Sequence, residues 1–223
     1  MIDDMTGIKV MLVSEQTSNM TMDERDKRRI GEELEPGGRP KAPGSLELLQ
    51  RFLNTWNHEL PADWDRLGTP ARARTWLRAK DLVSDSTRVT ARDAARLREL
   101  REALRSLVVA NHATDPPPSA VVAALRRTSR SADLRIELDD GGRTRLEPTR
   151  GGPDAAVAAL LGIVHEAQLL GTWARLKGCR QCGYAFFDRS KNRSASWCAM
   201  SICGNRTKNR TYRRRRSPTP STR

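Results

Sequence analysis

The sequence predicts a mainly α-helical domain with one small β-hairpin, followed by a small treble-clef-like finger. Three observations carry this. Leu, Val and Ala recur at three- and four-residue spacing through most of the stretch from Leu46 to Leu169. One segment, Leu134 to Thr149, alternates with a period of two instead. All four cysteines lie between Cys179 and Cys203.

Taken in order, residues 1–42 read as a disordered N-terminal tail. Glu32, Glu33, Pro36, Gly37, Gly38 and Pro40 disfavour a packed core, and the apolar patch Val10 to Val13 has no partner in sequence. Residues 43–176 form the helical domain. Ser45 is the expected N-cap of a first helix with Leu46, Leu49, Phe52, Leu53 and Trp56 on one face, ended by Pro61. Thr69-Pro70 opens a second, with a capping hydroxyl and Pro at the first helical position. Thr90 and Asp93 form a capping box for the longest helix. Its inward residues are Ala94, Leu97, Leu100, Leu104, Leu107 and Val108, and Arg98 with Glu102 is an expected outward pair. Ser119 caps a short helix after Pro116 to Pro118. Leu134, Ile136 and Leu138 then alternate, Asp139 to Gly142 turns, and Thr144 to Thr149 returns as a hairpin. Pro153-Asp154 opens the last helix, expected to reach about Leu176 and so to run almost into Cys179.

The cysteines are spaced C-x2-C, fifteen residues, then C-x4-C. Two residues between thiolates let the backbone turn tightly, and Gly183 suits a position of positive φ just after the second ligand. Tyr184 to Phe187 and Ser194 to Trp197 are expected as two paired strands with Ser190 to Arg193 as their turn. Cys198 and Cys203 would then start a basic helix. Cys179, Cys182, Cys198 and Cys203 with no spare histidine make a closed, structural site for one Zn²⁺. A redox CxxC is the rival reading, but it lacks the βαβ context that chemistry needs. A finger this small cannot bury an adequate core, so metal should drive its folding, with Phe186, Phe187 and Trp197 as its apolar centre. Replacing Cys179 should unfold the finger and leave the upstream helices intact.

The net charge of +13 is concentrated here. From Trp173 onward there are 14 basic residues and one acid, Asp188, leaving 26 of each sign upstream. One-signed charge following a zinc module suits a polyanion. Asn205, Arg206, Lys208, Arg210, Arg213, Arg214, Arg215 and Arg216 are the expected nucleic-acid contacts. The arginine run reaches phosphates and carries no base specificity. Residues 177–216 therefore read as a zinc finger with a basic helix, and 217–223 as a disordered tail.

Cys203-Gly204-Asn205-Arg206, preceded by Phe187-Asp188-Arg189-Ser190-Lys191-Asn192 and Trp197-Cys198, resembles the CGNR zinc finger. In that family the finger follows a helical ABATE domain, and Arg51-Phe-Leu-Asn-Thr-Trp56 and Arg101-Glu-Ala-Leu-Arg-Ser-Leu107 look like two helices of it. The resemblance spans roughly residues 46 to 216 and implies a bacterial, cytoplasmic, DNA-binding transcription regulator. It makes Asn205 and Arg206 candidates for base contact, with bracing of the finger against the helical domain as the equal alternative.

Other classes are less well supported. His58, His112 and His165 are dispersed and read as caps or packed side chains, and no glycine-rich phosphate loop or nucleophile–base pairing is visible, so no catalytic residue is named. No apolar run is long enough to span a membrane, and no signal peptide is apparent. Trp56, Trp76 and Trp173 are expected on helix faces that meet, as core or as the lining of an effector pocket. DNA is favoured over RNA as the partner. An RNA-binding finger, or an adaptor with a purely structural finger, are the alternatives. The sequence leaves effector and oligomeric state open.

Overall fold

In this computed structural model of the chain, residues 41–112 and 116–216 are described, the last three without their side chains. Residues 1–40, with Val10 to Val13, and the expected tail 217–223 lie outside the described residues. Among the described residues the architecture is six helices and two separate two-stranded antiparallel sheets. The helices are α1 (Leu46–Leu53), α2 (Pro70–Arg78), α3 (Ala91–Ala110), α4 (Ser119–Thr128), α5 (Gly152–Leu169) and α6 (Asn205–Arg216). The strands are β1 (Leu134–Leu138), β2 (Thr144–Pro148), β3 (Leu176–Gly178) and β4 (Ala185–Phe187). Among the described residues no helix is long and apolar enough to cross a membrane.

The core lies where α1, α3 and α5 meet. Leu49, Phe52 and Leu53 of α1 face Leu97, Leu100 and Leu104 of α3 and Leu160 of α5, all fully buried. Trp76 of α2 closes one side by lying against Phe52 at 5.8 Å between ring centroids. Trp173 packs on the same core, whereas Trp56 stands outside it. The expected meeting of all three tryptophans does not occur.

Local start signals act as expected where nothing distant competes. Thr69 accepts from Arg72 N–H at the start of α2. Thr90 and Asp93 form the reciprocal capping box of α3. Elsewhere tertiary contacts take the capping groups. Ser45 already has helical backbone angles, and its hydroxyl donates to Glu166 of α5 at 2.8 Å rather than capping α1. Ser119 is itself the first residue of α4, after Pro118, and makes no cap. Arg98 does not pair with Glu102: it donates to the carbonyls of Leu67 and Gly68. Glu102 accepts instead from Arg101 and Arg105.

Two helix ends differ from expectation. α1 stops at Leu53, not near Pro61, because Asn54 turns its amide toward β4. α5 stops at Leu169, closed by Gly171 in the left-handed region (φ 67°). A single 3-10 turn, Trp173–Arg175, leads from there into β3. The link to the finger is thus a strand, not a continuous helix. The β1–β2 hairpin has the expected extent, with Ile136 opposite Leu146, and lays Leu134 over Gly162 of α5.

Candidate metal centre and basic helix

The finger begins with a hairpin packed into the helical core. β3 pairs with β4, Leu176 opposite Phe187 and Gly178 opposite Ala185. The expected pairing of Tyr184–Phe187 with Ser194–Trp197 is absent, because β4 finds its partner upstream. The knuckle is the loop of this hairpin. Cys179 N–H donates to Tyr184 O, and Gly183 N–H donates to Cys179 O, both at 2.8 Å. Gly183 has φ 72°, as its position after Cys182 requires.

The 188–195 segment is organised by one carboxylate. Asp188 is fully buried and accepts from Ser190 N–H and Ala195 N–H at 2.9 Å each, and from Lys177 Nζ at 3.0 Å. Burial alone would raise its pKa. The bonds from Ser190, Lys177 and Ala195 outweigh that and hold it below the ordinary carboxylate value. This folds the expected 190–193 turn, closed by Arg193 N–H to Ser190 O. The chain then reaches Cys198 and one π-helical turn, Met200–Gly204, which places Cys203 immediately before α6.

Cys179, Cys182, Cys198 and Cys203 are all buried and unbridged, and their sulfurs lie within 4.8 Å of one another. Three separations are 3.8, 3.6 and 3.7 Å. A disulfide requires about 2.05 Å. Four thiolates about 2.3 Å from a tetrahedral Zn²⁺ lie about 3.8 Å apart. The donor set and its spacing therefore fit one closed, structural zinc, and no vertex is left for a reacting water. Without a cation the cluster cannot carry four negative charges. Hydrogen bonds from Cys182 and Cys198 drive Cys179 far down. Donation to Cys179 drives Cys182 and Cys198 far up, and burial raises Cys203. A divalent ion would permit all four to ionise.

The apolar surroundings are divided. Phe186 packs with the cysteines, whereas Phe187, expected there too, belongs to the helical core. Trp197 is partly buried against the cysteines. Gly204 is closely packed: a Cβ would lie 2.2 Å from Sδ of the exposed Met200 side chain and 3.2 Å from Trp197 Cδ1.

The sequence did not reveal the polar residues that fasten the finger to the helices. Asn54 both donates to and accepts from the backbone of Ala185, at 2.8 Å each way, as an extra strand would. Gln50, fully buried, also donates to Ala185 O. Arg105 donates to Gly183 O at 2.7 Å and to Leu53 O and Trp56 O at 2.6 Å. Asn111 reaches Leu176 O, and His112 Nε2 donates to Gly178 O at 2.7 Å. Burial lowers the His112 pKa, as suits a neutral donor. One signal was available. Arg101 and Arg105 interrupt the inward stripe of Leu97, Leu100, Leu104 and Val108 at i,i+4 spacing, and a buried arginine needs partners.

In α6, Asn205 is exposed, with one long bond to Ser201 O. Arg206 pairs with Glu59 of the helical domain at 3.2 Å. Arg210 donates to Gln181 Oε1 in the knuckle. Lys208, Arg213 and Tyr212 are exposed. The side chains of Arg214, Arg215 and Arg216 lie outside the described residues.

A cluster of four cysteines packed on a helical body, with a basic helix leaving the last of them, defines a zinc-finger protein. The comparisons with known proteins agree. Residues 46–176 match the ABATE family, described as a putative stress-induced transcription regulator, and residues 175–216 match the CGNR zinc finger. The chain belongs to the ABATE family and carries a CGNR zinc finger after it. No curated protein matches the chain. Neither family is an enzyme type. The boundary between the two matches falls within a single packed unit, since β3 and β4 both contribute to the helical core.

Proposed function

We propose that this protein is a zinc-dependent, DNA-binding transcription regulator. Cys179, Cys182, Cys198 and Cys203 hold one structural Zn²⁺, and α6 presents Asn205, Arg206, Lys208, Arg210 and Arg213 to Arg216 to the nucleic acid. The observation that carries this is the charge distribution. The chain's whole excess of +13 lies from Trp173 onward, and its one acid there, Asp188, is buried and occupied. The finger surface is therefore one-signed, and α6 leaves the metal centre as its most basic projection.

The helical domain is the sensing or partner-binding module. Support comes from a cleft of about 430 Å³ lined by Trp56, His58, Asp65, Arg98, Arg101 and Glu102. Glu102 in that cleft is ion-paired to Arg105, which holds the Gly183 carbonyl of the knuckle. An occupant that moved Glu102 or Trp56 would act on the knuckle through one side chain.

Two contacts favour a second reading, a finger that braces the fold as an adaptor. Arg206 and Arg210 are turned toward Glu59 and Gln181. One experiment separates the readings: binding of zinc-loaded protein to duplex DNA and to RNA across a salt series. The regulator reading expects duplex binding whose affinity falls steeply with salt and differs between sequences. Preference for structured RNA would move the assignment to an RNA-binding finger. No binding to either at low salt would leave the adaptor.

A further inference from the structure

The basic segment contributes no exposed acid of its own. A carboxylate that meets α6 must come from elsewhere in the chain, and Glu59 does. Both its oxygens face Arg206 Nη1, at 3.3 and 3.2 Å. This is not a wandering surface side chain. Glu59 N–H donates to Asn57 Oδ1 at 3.0 Å, and Leu60 N–H donates to Asn57 O, so the backbone beneath it is a fixed turn. His58 next to it packs edge-on against Trp56 and lies over Gly183. The turn that carries Glu59 is thus seated between the cleft and the zinc knuckle. Arg206 is still 58 % exposed, so a phosphate can approach it from solvent.

We propose that Glu59 is an internal competitor of the nucleic-acid backbone. It occupies Arg206 in the free protein with the same anionic oxygen pair a phosphate offers. Binding exchanges that carboxylate for a phosphate. The contact lowers affinity for any polyanion, and it places the setting of that affinity in a turn of the helical domain. This rests on the nucleic-acid reading above.

The test is a double-mutant cycle on zinc-loaded protein, read by binding to a labelled random-sequence DNA duplex. Glu59→Gln removes the competing charge at an exposed site and should lower the melting temperature by no more than about 4 °C. It should tighten binding roughly 2- to 5-fold, the range of exposed ion pairs. In an Arg206→Gln background the same change should give no gain, because nothing remains to be released. Equal gains in both backgrounds would reduce Glu59 to a general charge effect and overturn the proposal. So would no gain in the wild-type background. Absence of duplex binding by every variant at low salt would instead overturn the parent reading and remove this one with it.

Discussion

Removing the metal should destabilise the helical domain as well as the finger. The knuckle is the loop of β3–β4, and three residues of those strands, Leu176, Ala185 and Phe187, lie in the core shared with α1, α3 and α5. If the hairpin opens, Leu176 and Phe187 lose burial worth about 1.5–3 kcal/mol each. Arg105 loses its bond to Gly183 O, about 1.5–3 kcal/mol for a charged donor. The two Asn54–Ala185 bonds and the Asn111–Leu176 bond contribute about 1 kcal/mol each. The coupling is then roughly 7–12 kcal/mol, comparable with the whole stability of an ordinary domain, about 5–15 kcal/mol. The measurement is thermal unfolding followed by far-UV circular dichroism, with zinc, with a chelator, and after zinc is restored. We expect one cooperative transition with zinc, and a fall of at least about 10 °C without it. Cys179→Ser should reproduce the chelated state, so the expectation that the upstream helices stay intact is replaced by a coupled loss, because Leu176, Ala185 and Phe187 lie in their core. If the helical signal melts at the same temperature without zinc, the two units are independent and the coupling is wrong.

Further predictions follow from single contacts. Arg105→Ala leaves the carbonyls of Leu53, Trp56 and Gly183 without their donor and should cost about 3–5 kcal/mol in urea unfolding, with faster zinc loss to a chelator. Arg105→Lys should recover less than half of this, since a point charge cannot span three acceptors. Gly204→Ala meets mainly the exposed, flexible Met200 side chain and should change stability by no more than about 1 kcal/mol in urea unfolding; a larger loss would show that Trp197 cannot give way. Asp188 has a depressed pKa when folded, so its contribution is fully present above its unfolded value, about 3.9, and is lost as pH falls through the folded value. Asp188→Asn should therefore be less stable than wild type at pH 7, with the gap closing in acid; a constant gap would show that the charge does not matter.

The parts of the fold that were legible in the sequence are those with local causes. Thr69-Pro70 and the Thr90–Asp93 box act within one helical turn, so three residues suffice to place the helix start. Gly183 and the cysteine spacing likewise describe a loop that closes on itself. Periodicity also told which residues turn inward. It could not tell what an inward polar residue meets. Asn54 finds Ala185 131 residues away, and that bond ends α1 early. Ser45 meets Glu166 and so does not cap. β4 likewise pairs with β3 and not with the expected 194–197 segment. Its segment was read correctly as extended, but the competing partner, β3, sits before the knuckle, where a helix was expected. The differences at the seam between helices and finger arise where distant groups compete with local ones.

That seam explains how so unfavourable a helix as α6 can be held. Its sequence, Asn205 to Arg216, carries seven cations and no acid. Like charges at i,i+4 oppose helix formation, and a free segment of twelve residues would not repay the nucleation cost in water. The metal centre offsets both. Cys203 and the π-helical turn hand α6 its first turn already formed. A zinc ion with four thiolates carries a formal charge of about −2, set at the positive end of the helix dipole. The arginines that repel one another are also drawn to that anion and, through Arg210 and Arg206, to Gln181 and Glu59. These tethers stop within the first two turns. A polyanion laid along α6 would relieve the repulsion among its cations as it binds. Zinc thus supplies the start of the helix.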